Sequence, residues 1–371
     1  MRVPIARPWI PPASSAEAAA VLASGWLTSG PQVEALEAEW RQAFCPDLEV
    51  AAVNSCTTGL FAALRGLEPR DKRPTVAVPA FTWVATANAA IEAGFCVELV
   101  DIDLGTFNIV ASANVGGAEV VVPVHLFGRP APVTFEAAPH AMVLEDAACA
   151  FGATHQDGRP LGTGTMGAVF SLHPRKAITC GEGGMVQGRA AAQVRRYRNH
   201  GETAPPDTTH PSAFAHYDEP GLNFRLPDVL AAVLRPQLAA RAWLMAERRR
   251  IVDLYHAELG AIPWLRLPER VPGHGWQAFV ALVAPDEPLE AAHALRDRAM
   301  DACVAAQVGT RPGTMCIARS AHLRGNLTPA EVARWLPNAW RADLTSLALP
   351  LWAGMSEAEV EHVVATVRRA A

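Results

Sequence analysis

The sequence predicts an α/β protein built on a mostly parallel β-sheet with helices on both faces. Short segments that are apolar throughout alternate with helical patterns, and polar residues follow several of them directly. These apolar segments are 50–53, 75–79, 97–100, 120–124, 142–144 and the short stretch ending at Phe170. Strands that are apolar at every position are typical of parallel sheets, because both faces of such a sheet are covered. Functional side chains are therefore expected at the carboxyl ends of these strands.

Length and composition indicate a globular protein with a sizeable core. The chain has 371 residues and 50% of them are hydrophobic, which is enough for a large domain over residues 1–240 and a smaller α+β domain over residues 241–371. A formal net charge of −5 and a sequence pI of about 6.2 show no basic surplus. We therefore expect neither nucleic acid nor an anionic membrane as a partner.

Cysteine spacing and apolar runs bear on the cellular compartment. The seven cysteines are scattered and form no Cys-x-x-Cys pair, which argues against a disulfide framework and a structural zinc site. His200, His210 and His216 match no metal-ligand spacing. No apolar stretch is long enough to span a bilayer, and prolines interrupt the N-terminal arm before a signal-peptide core could form. We predict a cytoplasmic protein without a metal site.

The N-terminal part of the chain predicts two helices ahead of the first strand. Ser14 and Glu17 have the spacing of a capping box, so a helix is expected over residues 14–23, ended by Gly25. A second helix is expected over residues 31–44.

The turn after the strand at 50–53 is a candidate phosphate site. The sequence Asn54-Ser-Cys-Thr-Thr-Gly59 leads directly into an apolar helical pattern. A helix N-terminus exposes unpaired N–H groups and a partial positive charge, and Thr57 and Thr58 can add hydroxyl donors to a bound phosphate. The alternative is that Ser55 or Thr57 only caps the helix, and capping is compatible with phosphate binding.

Three further side chains follow predicted strands: Trp83, Asp146 and Lys176, the last of them ahead of a glycine cluster. Each has a plain alternative, namely a core tryptophan, a helix-capping aspartate and a solvated loop lysine. Pyridoxal phosphate needs a lysine for an imine bond, a carboxylate on the pyridine nitrogen, an aromatic face for the ring and a phosphate-binding helix start. Together with the turn at 54–59, the three side chains match that set of requirements.

The second half of the chain predicts a connection into a smaller α+β domain. The expected elements are a basic helix over 189–197, a loop over 202–220, a long helix over 229–259 with a kink at Pro236, a strand over 279–283, and helices over 289–302 and 356–369.

Ten ordered motifs carry a resemblance to a known family. They are Leu27-Thr-Ser-Gly30, Asn54-Ser-Cys-Thr-Thr58, Pro79-Ala-Phe-Thr-Trp83, Val100-Asp-Ile-Asp103, Pro123-Val-His-Leu-Phe-Gly128, Glu145-Asp-Ala-Ala148, Phe170-Ser-Leu-His-Pro-Arg-Lys176, Gly181-Glu-Gly-Gly184, Arg198-Asn-His-Gly201 and Gly221-Leu-Asn-Phe-Arg225. From the N-terminal arm to the final helix, the chain resembles the sugar aminotransferases of the DegT/DnrJ/EryC1/StrS group. The resemblance implies fold-type I: a large domain with a mostly parallel seven-stranded sheet between helices, and a smaller C-terminal α+β domain.

The resemblance also implies roles for individual residues. Lys176 would form the imine bond with pyridoxal phosphate and shuttle the proton, Asp146 would pair with the pyridine nitrogen, and Trp83 would stack on the ring. The phosphate would be held by Thr57, Thr58 and Ser171. Asn223 matches a family asparagine that reaches the phosphate of the neighbouring subunit, which implies a homodimer with active sites at the subunit interface.

Three departures from the family pattern are visible in the sequence. Cys149 stands where the family usually has a glutamine near the cofactor's 3-hydroxyl, and Cys56 replaces a glycine in the phosphate turn. The segment 128–143 is shorter than usual, which predicts a trimmed helix. The first departure bears on the electronic tuning of the cofactor, while the second leaves the backbone donors intact.

The resemblance implies an aminotransferase that takes an amino group from L-glutamate or L-glutamine. The acceptor would be a keto sugar, commonly nucleotide-linked, or a keto cyclitol, used in glycan or secondary-metabolite assembly. Two alternatives stay open: a sugar dehydratase, in which histidine replaces the lysine, and a cofactor-binding regulatory protein without turnover. Lys176 speaks against the dehydratase, and Cys149 leaves the regulatory protein open.

Overall fold

The computed structural model describes residues 1–67, 74–204 and 214–370. Its helices are α1 (Pro12–Ser24), α2 (Pro31–Phe44), α3 (Cys56–Arg65), α4 (Ala85–Glu92), α5 (Ala190–Tyr197), α6 (Asp228–Ala239), α7 (Arg241–Leu259), α8 (Leu289–Ala305), α9 (Ala321–Arg324), α10 (Pro329–Trp335), α11 (Pro337–Thr345) and α12 (Glu357–Arg368). Its strands are β1 (Val50–Val53), β2 (Thr75–Pro79), β3 (Phe81–Thr82), β4 (Cys96–Val100), β5 (Val120–Val121), β6 (Met142–Asp146), β7 (Gly167–Ser171), β8 (Gly184–Gln187), β9 (Glu202–Ala204), β10 (His216–Tyr217), β11 (Leu265–Arg266), β12 (Phe279–Val283), β13 (Met315–Cys316) and β14 (Ser346–Leu349).

A seven-stranded sheet forms the centre of the structure, with the strand order β1-β8-β7-β6-β5-β2-β4. Neighbouring strands are parallel except where β8 pairs with β1 and with β7. Strands β1, β5 and β8 are buried at every residue, as expected for apolar strands covered on both faces. The predicted fold class, with its mostly parallel seven-stranded sheet, is confirmed.

Strand β8 is an element that the sequence does not predict, because its glycine-rich start indicates a turn. Gly184 instead pairs with Val53 on one side and with Ser171 on the other. A Cβ atom at Gly184 would lie 2.8 Å from the backbone nitrogen of Cys56, so a larger residue would push the strand away from α3. This close approach fixes the first turn of α3 beside the end of β7.

Helices cover both faces of the central sheet. On one face α3, α4 and α5 pack on the strands, with Leu60 and Leu64 of α3 buried between them. On the other face α2 and α6 pack around Trp40, Phe170 and Leu234. The inner strands of the sheet are therefore shielded from water, whereas the edge strand β4 is partly exposed, and polar side chains collect at the ends of the strands.

A second sheet forms in the C-terminal part of the chain. Strands β11, β12 and β14 pair antiparallel, and α7, α8 and α12 contribute to their core, which includes Tyr255, Phe279 and Val363. Strand β13 pairs with β3 and so joins this smaller α+β part to the region that follows β2. The boundary at residue 240 stays a prediction, and α6 and α7 meet there.

The first helix differs from its prediction. It begins at Pro12 rather than Ser14, since proline at the first helical position lacks only an N–H that would be unpaired anyway. Ser14 is buried within the first turn, and its hydroxyl donates a hydrogen bond to the carbonyl of Val233 on α6 at 2.7 Å. The predicted capping box is therefore wrong, and Ser14 ties α1 to α6 instead.

The long helix predicted over 229–259 is also different. It consists of α6 and α7, which are separated at Ala240, and Pro236 lies inside the last turn of α6. Proline removes one backbone hydrogen bond there without ending the helix. The kink predicted at Pro236 is therefore replaced by a break four residues later.

Two connecting segments were predicted from the sequence. The loop predicted over 202–220 carries an antiparallel pair, β9 with β10, and its residues 205–213 lie outside the described residues. Residues 129–141 contain no α-helix, in line with the trimmed segment expected there. Within the described ranges, no helix combines the length and the apolar character needed to cross a bilayer.

Candidate active site

A cavity of about 320 Å³ opens where β3, β6 and β7 end, beside the N-terminus of α3. Five of the residues predicted from the sequence line this cavity: Thr57, Trp83, Asp146, Ser171 and Lys176. Their convergence follows from the sheet, because parallel neighbours deliver their carboxyl ends to one edge. Thr58 and Asn223, which were predicted together with them, do not line the cavity.

Lys176 lies on the loop between β7 and β8, with its side chain half-buried in the cavity wall. Its backbone N–H donates to the carbonyl of His173 at 2.8 Å, which closes a tight turn. Its Nζ donates to Sγ of Cys149 at 3.2 Å, and no carboxylate of the described residues lies within ion-pair distance. The amine is therefore held in place but not neutralised by an acid, as a nucleophile or proton carrier requires.

The loop that carries Lys176 is anchored by hydrogen bonds to α6. The side-chain amide of Gln237 on α6 accepts from the backbone N–H of Thr179 at 3.0 Å and donates to the Thr179 carbonyl at 2.7 Å. The Thr179 hydroxyl donates to the carbonyl of Leu172 at 2.6 Å. These buried bonds fix Leu172 and Thr179 on either side of Lys176, so the scaffold sets the position of the Lys176 side chain.

Asp146 is the last residue of β6, and only 4% of its surface is exposed. Its Oδ2 accepts a hydrogen bond from the Thr86 hydroxyl at 2.7 Å, and its Oδ1 accepts one from the Ala148 N–H at 3.0 Å. No cation of the described residues lies within ion-pair distance of this carboxylate. A buried carboxylate that faces a cavity without a positive partner is suited to hold a protonated ring nitrogen of a ligand.

The phosphate turn combines capping with an open face. Ser55 is the N-cap of α3, and its Oγ accepts from the Thr58 N–H at 3.1 Å, so the capping alternative is realised. Ser55 also lines the cavity, together with Thr57 and with Ser171 at the end of β7. The Thr58 hydroxyl instead donates to Oδ1 of Asn54 at 2.7 Å. The hydroxyls that can reach a phosphate are therefore those of Ser55, Thr57 and Ser171.

Trp83 and Asn223 occupy different surroundings. Trp83 is 56% exposed although it is large and apolar, and it lines the cavity immediately ahead of α4, which leaves a ring face free for a planar ligand. Asn223 lies exposed and outside the cavity of its own chain, where its Oδ1 accepts from the Arg225 N–H at 3.3 Å. Its predicted role at the phosphate of a neighbouring subunit stays a prediction.

A buried polar cluster holds the end of β6 next to Asp146. The Glu145 carboxylate is fully buried and accepts hydrogen bonds from His125 Nε2 at 2.8 Å, the Gly162 N–H at 2.8 Å and the Thr165 hydroxyl at 2.7 Å. His125 Nδ1 accepts from the Ala131 N–H at 2.8 Å, which assigns the ring proton to Nε2. Each polar group of β6 at this end therefore has a partner, and the carboxylate of Asp146 is fixed in direction.

The cluster predicts how stability depends on pH. Burial by itself raises the pKa of Glu145, but the interactions with His125 and His155 outweigh it and lower the pKa to about 2. A group whose pKa falls on folding stabilises the protein above its unfolded pKa, here 4.5, and this stabilisation is lost as the pH falls toward 2. The difference corresponds to about 3 kcal/mol at neutral pH.

Glu145→Gln is therefore expected to flatten the fall in unfolding free energy between pH 4.5 and 2, even though it lowers stability at neutral pH. Denaturant unfolding at a series of pH values measures this slope. The matched control is Glu34→Gln on the exposed face of α2, which should keep the wild-type slope. A Glu145→Gln profile parallel to the wild type would show that the carboxylate has no such linkage.

The structure adds cavity residues to which the sequence analysis gave no role in binding the cofactor. They are Ser55, Thr86, His173, Arg175, Glu182, Gln277, Arg311 and Thr314. Ser55 caps the start of α3, a pattern visible in the sequence, whereas Thr86 lies in the first turn of α4, which has no side-chain cap. Gln277 and Arg311 come from the C-terminal part of the chain, where the Gln277 N–H donates to the Phe127 carbonyl at 3.0 Å and Arg311 forms a β-bridge with Ala348. No local pattern in the sequence gives a signal for these long-range contacts.

The family assignment follows from a comparison with known proteins. The model of the DegT/DnrJ/EryC1/StrS aminotransferase family matches residues 10–368. The chain belongs to this family. Among solved structures, Helicobacter pylori PseC, an aminotransferase involved in the biosynthesis of pseudoaminic acid, matches with 20% identity and a TM-score of 0.89, over 100% of this chain and 99% of that chain.

Two further solved structures share the fold. The sugar aminotransferase CalS13 from Micromonospora echinospora has 25% identity and a TM-score of 0.84, over 99% of each chain. The GDP-4-keto-6-deoxymannose-3-dehydratase ColD has 20% identity and a TM-score of 0.81, over 99% of this chain and 100% of that chain. The family and its solved members make this chain a pyridoxal phosphate-dependent aminotransferase.

The cavity residues fit this cofactor. Among the described residues, no cation lies within ion-pair distance of the buried Asp146 carboxylate and no carboxylate within that distance of the Lys176 amine, and the hydroxyls of Ser55 and Thr57 line the cavity at a helix N-terminus. Cys149, at the position where the family resemblance implies a glutamine, accepts a hydrogen bond from Nζ of Lys176 at 3.2 Å. A thiol sulfur is a weak hydrogen-bond acceptor, so this contact holds the lysine amine only loosely.

Proposed function

We propose that this enzyme transfers the amino group of L-glutamate or L-glutamine to the keto group of a sugar, nucleotide-linked in its usual form, or of a cyclitol. The observation that carries the proposal is the pairing of a free amine with a buried carboxylate in one cavity. Lys176 and Asp146 have no charged partner within ion-pair distance among the described residues, so both are available to a bound cofactor and substrate.

The roles of the two residues follow from their chemistry. When bound, pyridoxal phosphate accepts the electron pair left at the reacting carbon once it loses a proton. Lys176 Nζ takes that proton from the substrate carbon and returns it to the neighbouring position, acting as general base and then as general acid. Asp146 keeps the ring nitrogen protonated, because its buried negative charge favours the charged form of the ring.

The sugar class is supported by the relatives. PseC is an aminotransferase involved in the biosynthesis of pseudoaminic acid, CalS13 is a sugar aminotransferase, and the match to each covers nearly the whole chain. A dehydratase, ColD, shares the fold. The family resemblance implies that such dehydratases carry histidine in place of the lysine, whereas this chain has Lys176. Retention of the lysine favours amino transfer over dehydration.

A homodimer belongs to the proposal. Asn223 lies exposed outside its own cavity, and Trp83 is more than half exposed although it lines the site. A second copy that covers this region would shield Trp83 and would bring its Asn223 toward the phosphate turn. The complete site is then formed by two chains.

The experiment is spectroscopic and uses the purified holoenzyme. L-Glutamate or L-glutamine is expected to bleach the visible band of the lysine-bound cofactor, and a keto sugar is expected to restore it, while D-glutamate leaves it unchanged. If the band persists after addition of L-glutamate and after addition of L-glutamine, the transaminase assignment is overturned and the regulatory protein is favoured. Release of water from a keto-deoxy sugar without any amino donor would favour the dehydratase.

A further inference from the structure

Lys176 and Cys149 place an amine and a thiol in contact inside the cavity. Nζ of Lys176 donates a hydrogen bond to Sγ of Cys149 at 3.2 Å, and both side chains line the cavity wall. The two residues come from different loops, since Cys149 lies shortly after β6 and Lys176 lies between β7 and β8. An amine next to a thiol forms a pair of nucleophiles that one covalent bond can join once the sulfur is oxidised.

The scaffold holds the two loops against each other. Cys149 lies in a turn that is closed by a hydrogen bond from the Ala150 N–H to the Ala147 carbonyl at 2.9 Å. The Ala147 N–H in turn donates to the carbonyl of Val169 on β7 at 2.9 Å. The loop of Lys176 leaves the end of the same strand. Because both loops are fastened to β7, the contact between sulfur and nitrogen is fixed by the sheet.

Cys149 differs in exposure from the two other cysteines in this region. Cys56 lines the same cavity but is buried, and Cys180 is buried on the loop between β7 and β8. Burial raises the pKa of the Cys56 thiol well above its ordinary value and that of Cys180 to about 12, so both stay protonated. Cys149 is only half-buried, opens to the cavity and contacts an amine, and reactive cysteines lie in partly exposed surroundings of this kind.

We propose that Cys149 is a site of oxidation by peroxides, and that the Lys176 amine captures the oxidised sulfur in a reversible S–N bond. The contact at 3.2 Å places the nitrogen where it can reach the sulfur without a rearrangement of the backbone. The bond consumes the amine that the proposed function assigns to the cofactor. The oxidised chain therefore cannot take up pyridoxal phosphate on Lys176 until a thiol reduces it.

The reaction has two steps. The Cys149 sulfur attacks one oxygen of hydrogen peroxide, the O–O bond breaks, and the thiol proton leaves with the other oxygen as water. The sulfur is thereby oxidised to a sulfenic acid while the peroxide is reduced. The lone pair of the neutral Lys176 amine then attacks the sulfur, the S–O bond breaks, and the hydroxide leaves as water with a proton from the nitrogen. A dithiol reductant reverses the outcome, since it returns the thiol and the amine and becomes a disulfide.

The test maps the full-length chain by peptide mass spectrometry after treatment with hydrogen peroxide, both freed of cofactor and as the holoenzyme. In the cofactor-free chain we expect a cross-link between the peptides of Cys149 and Lys176, lighter than their sum by about 2 Da, the two hydrogens lost with the S–N bond. Dithiothreitol should remove it. The absorbance of bound pyridoxal phosphate after reconstitution should fall by about tenfold or more in the oxidised chain and return after reduction. The holoenzyme should be protected.

Three variants separate the parts of this proposal. Cys149→Ser should form no cross-link, and peroxide should leave its uptake of pyridoxal phosphate unchanged. Lys176→Gln keeps the thiol without the amine, so its sulfenic acid should persist and react with dimedone about tenfold more than in the wild type. The matched control is Cys96→Ser, which removes an exposed thiol on β4 outside the cavity and should cross-link as the wild type does. The thermal transition of each variant reports whether it folds.

Several results would overturn the proposal. They are a Cys149 that stays a free thiol or accumulates as sulfinic acid in the wild type, a disulfide between Cys149 and Cys56, and a cross-link that retains the peroxide oxygen and is about 14 Da heavier than the two peptides. Equal cross-linking in the holoenzyme would overturn the competition with the cofactor. Because the cross-link is read by mass in the cofactor-free chain, its failure is distinguishable from a failure of the proposed amino transfer.

Discussion

Lys176→Ala is expected to lower kcat by about 10³-fold or more, because the amine serves as acid and base in both half-reactions. The variant should fold, since Lys176 is half-buried and its one side-chain hydrogen bond goes to Cys149. Steady-state turnover with saturating donor and acceptor measures the effect. The expected loss is larger than that of any other single substitution considered for this protein.

The control for this variant is unusually clean. The whole chain contains two lysines, Lys72 and Lys176, against 30 arginines. Lys72→Ala therefore removes the remaining lysine amine, and it should leave turnover and cofactor absorbance unchanged. A Lys176→Ala enzyme with turnover close to the wild type would refute the catalytic role of this residue.

Asp146→Asn is expected to lower kcat by about 10²- to 10³-fold, the size of effect seen when a positioned electrostatic group is removed from an active site. Asparagine keeps the shape and can still bond to Thr86 and to the Ala148 N–H, so the change isolates the negative charge. Without that charge, Asp146→Asn would no longer favour a protonated ring nitrogen in a bound cofactor, which would then accept electrons less readily.

A second strand-end aspartate serves as the control for this prediction. Asp103 follows β4 and accepts from the N–H groups of Gly105 and Thr106 at 3.0 Å and 2.9 Å, which makes it a turn former outside the cavity. Asp103→Asn should keep kcat within about twofold of the wild type while costing some stability. If both variants lose activity equally, the loss reports on the fold and not on a charge at the cofactor.

The sheet and the strand-end residues could be predicted from the sequence because both depend on local patterns. Strands β1, β2 and β6 are apolar runs, and the polar residue after such a run must lie at the sheet edge, which is where Asp146 lies. The parallel pairing of β6 and β7 then brings Asp146 and the loop of Lys176 to one edge, and this prediction needed only burial and strand direction. Trp83 follows β3, which pairs antiparallel with β13 outside that sheet.

Other features depend on contacts between distant parts of the chain. Arg311 reaches the cavity because its segment pairs with β14, and β13 pairs with β3 across more than two hundred residues of sequence. Strand β8 escapes prediction because its glycines serve a close approach to α3, a requirement that looks identical to a turn in the sequence. Tertiary packing, not local preference, decides these positions.

The direction of individual hydroxyl groups could not be predicted from the sequence either. Thr57 and Thr58 are neighbours in the first turn of α3, yet one lines the cavity and the other bonds back to Asn54. Ser14 shows the same effect, since its spacing from Glu17 suits a cap while its hydroxyl bonds to α6. The register of a helix start fixes these outcomes, and a shift of two residues changes the partner of each side chain.

The most direct test of the account is chemical mapping of the amine that holds the cofactor. Borohydride treatment of the purified holoenzyme fixes pyridoxal phosphate covalently to that amine, and peptide mass spectrometry then locates it. Because the chain offers only Lys72, Lys176 and the N-terminal amine, the assignment is unambiguous. We expect the label on the peptide containing Lys176 alone, whereas a label on Lys72, or none despite bound cofactor, would contradict the assignment of the active site.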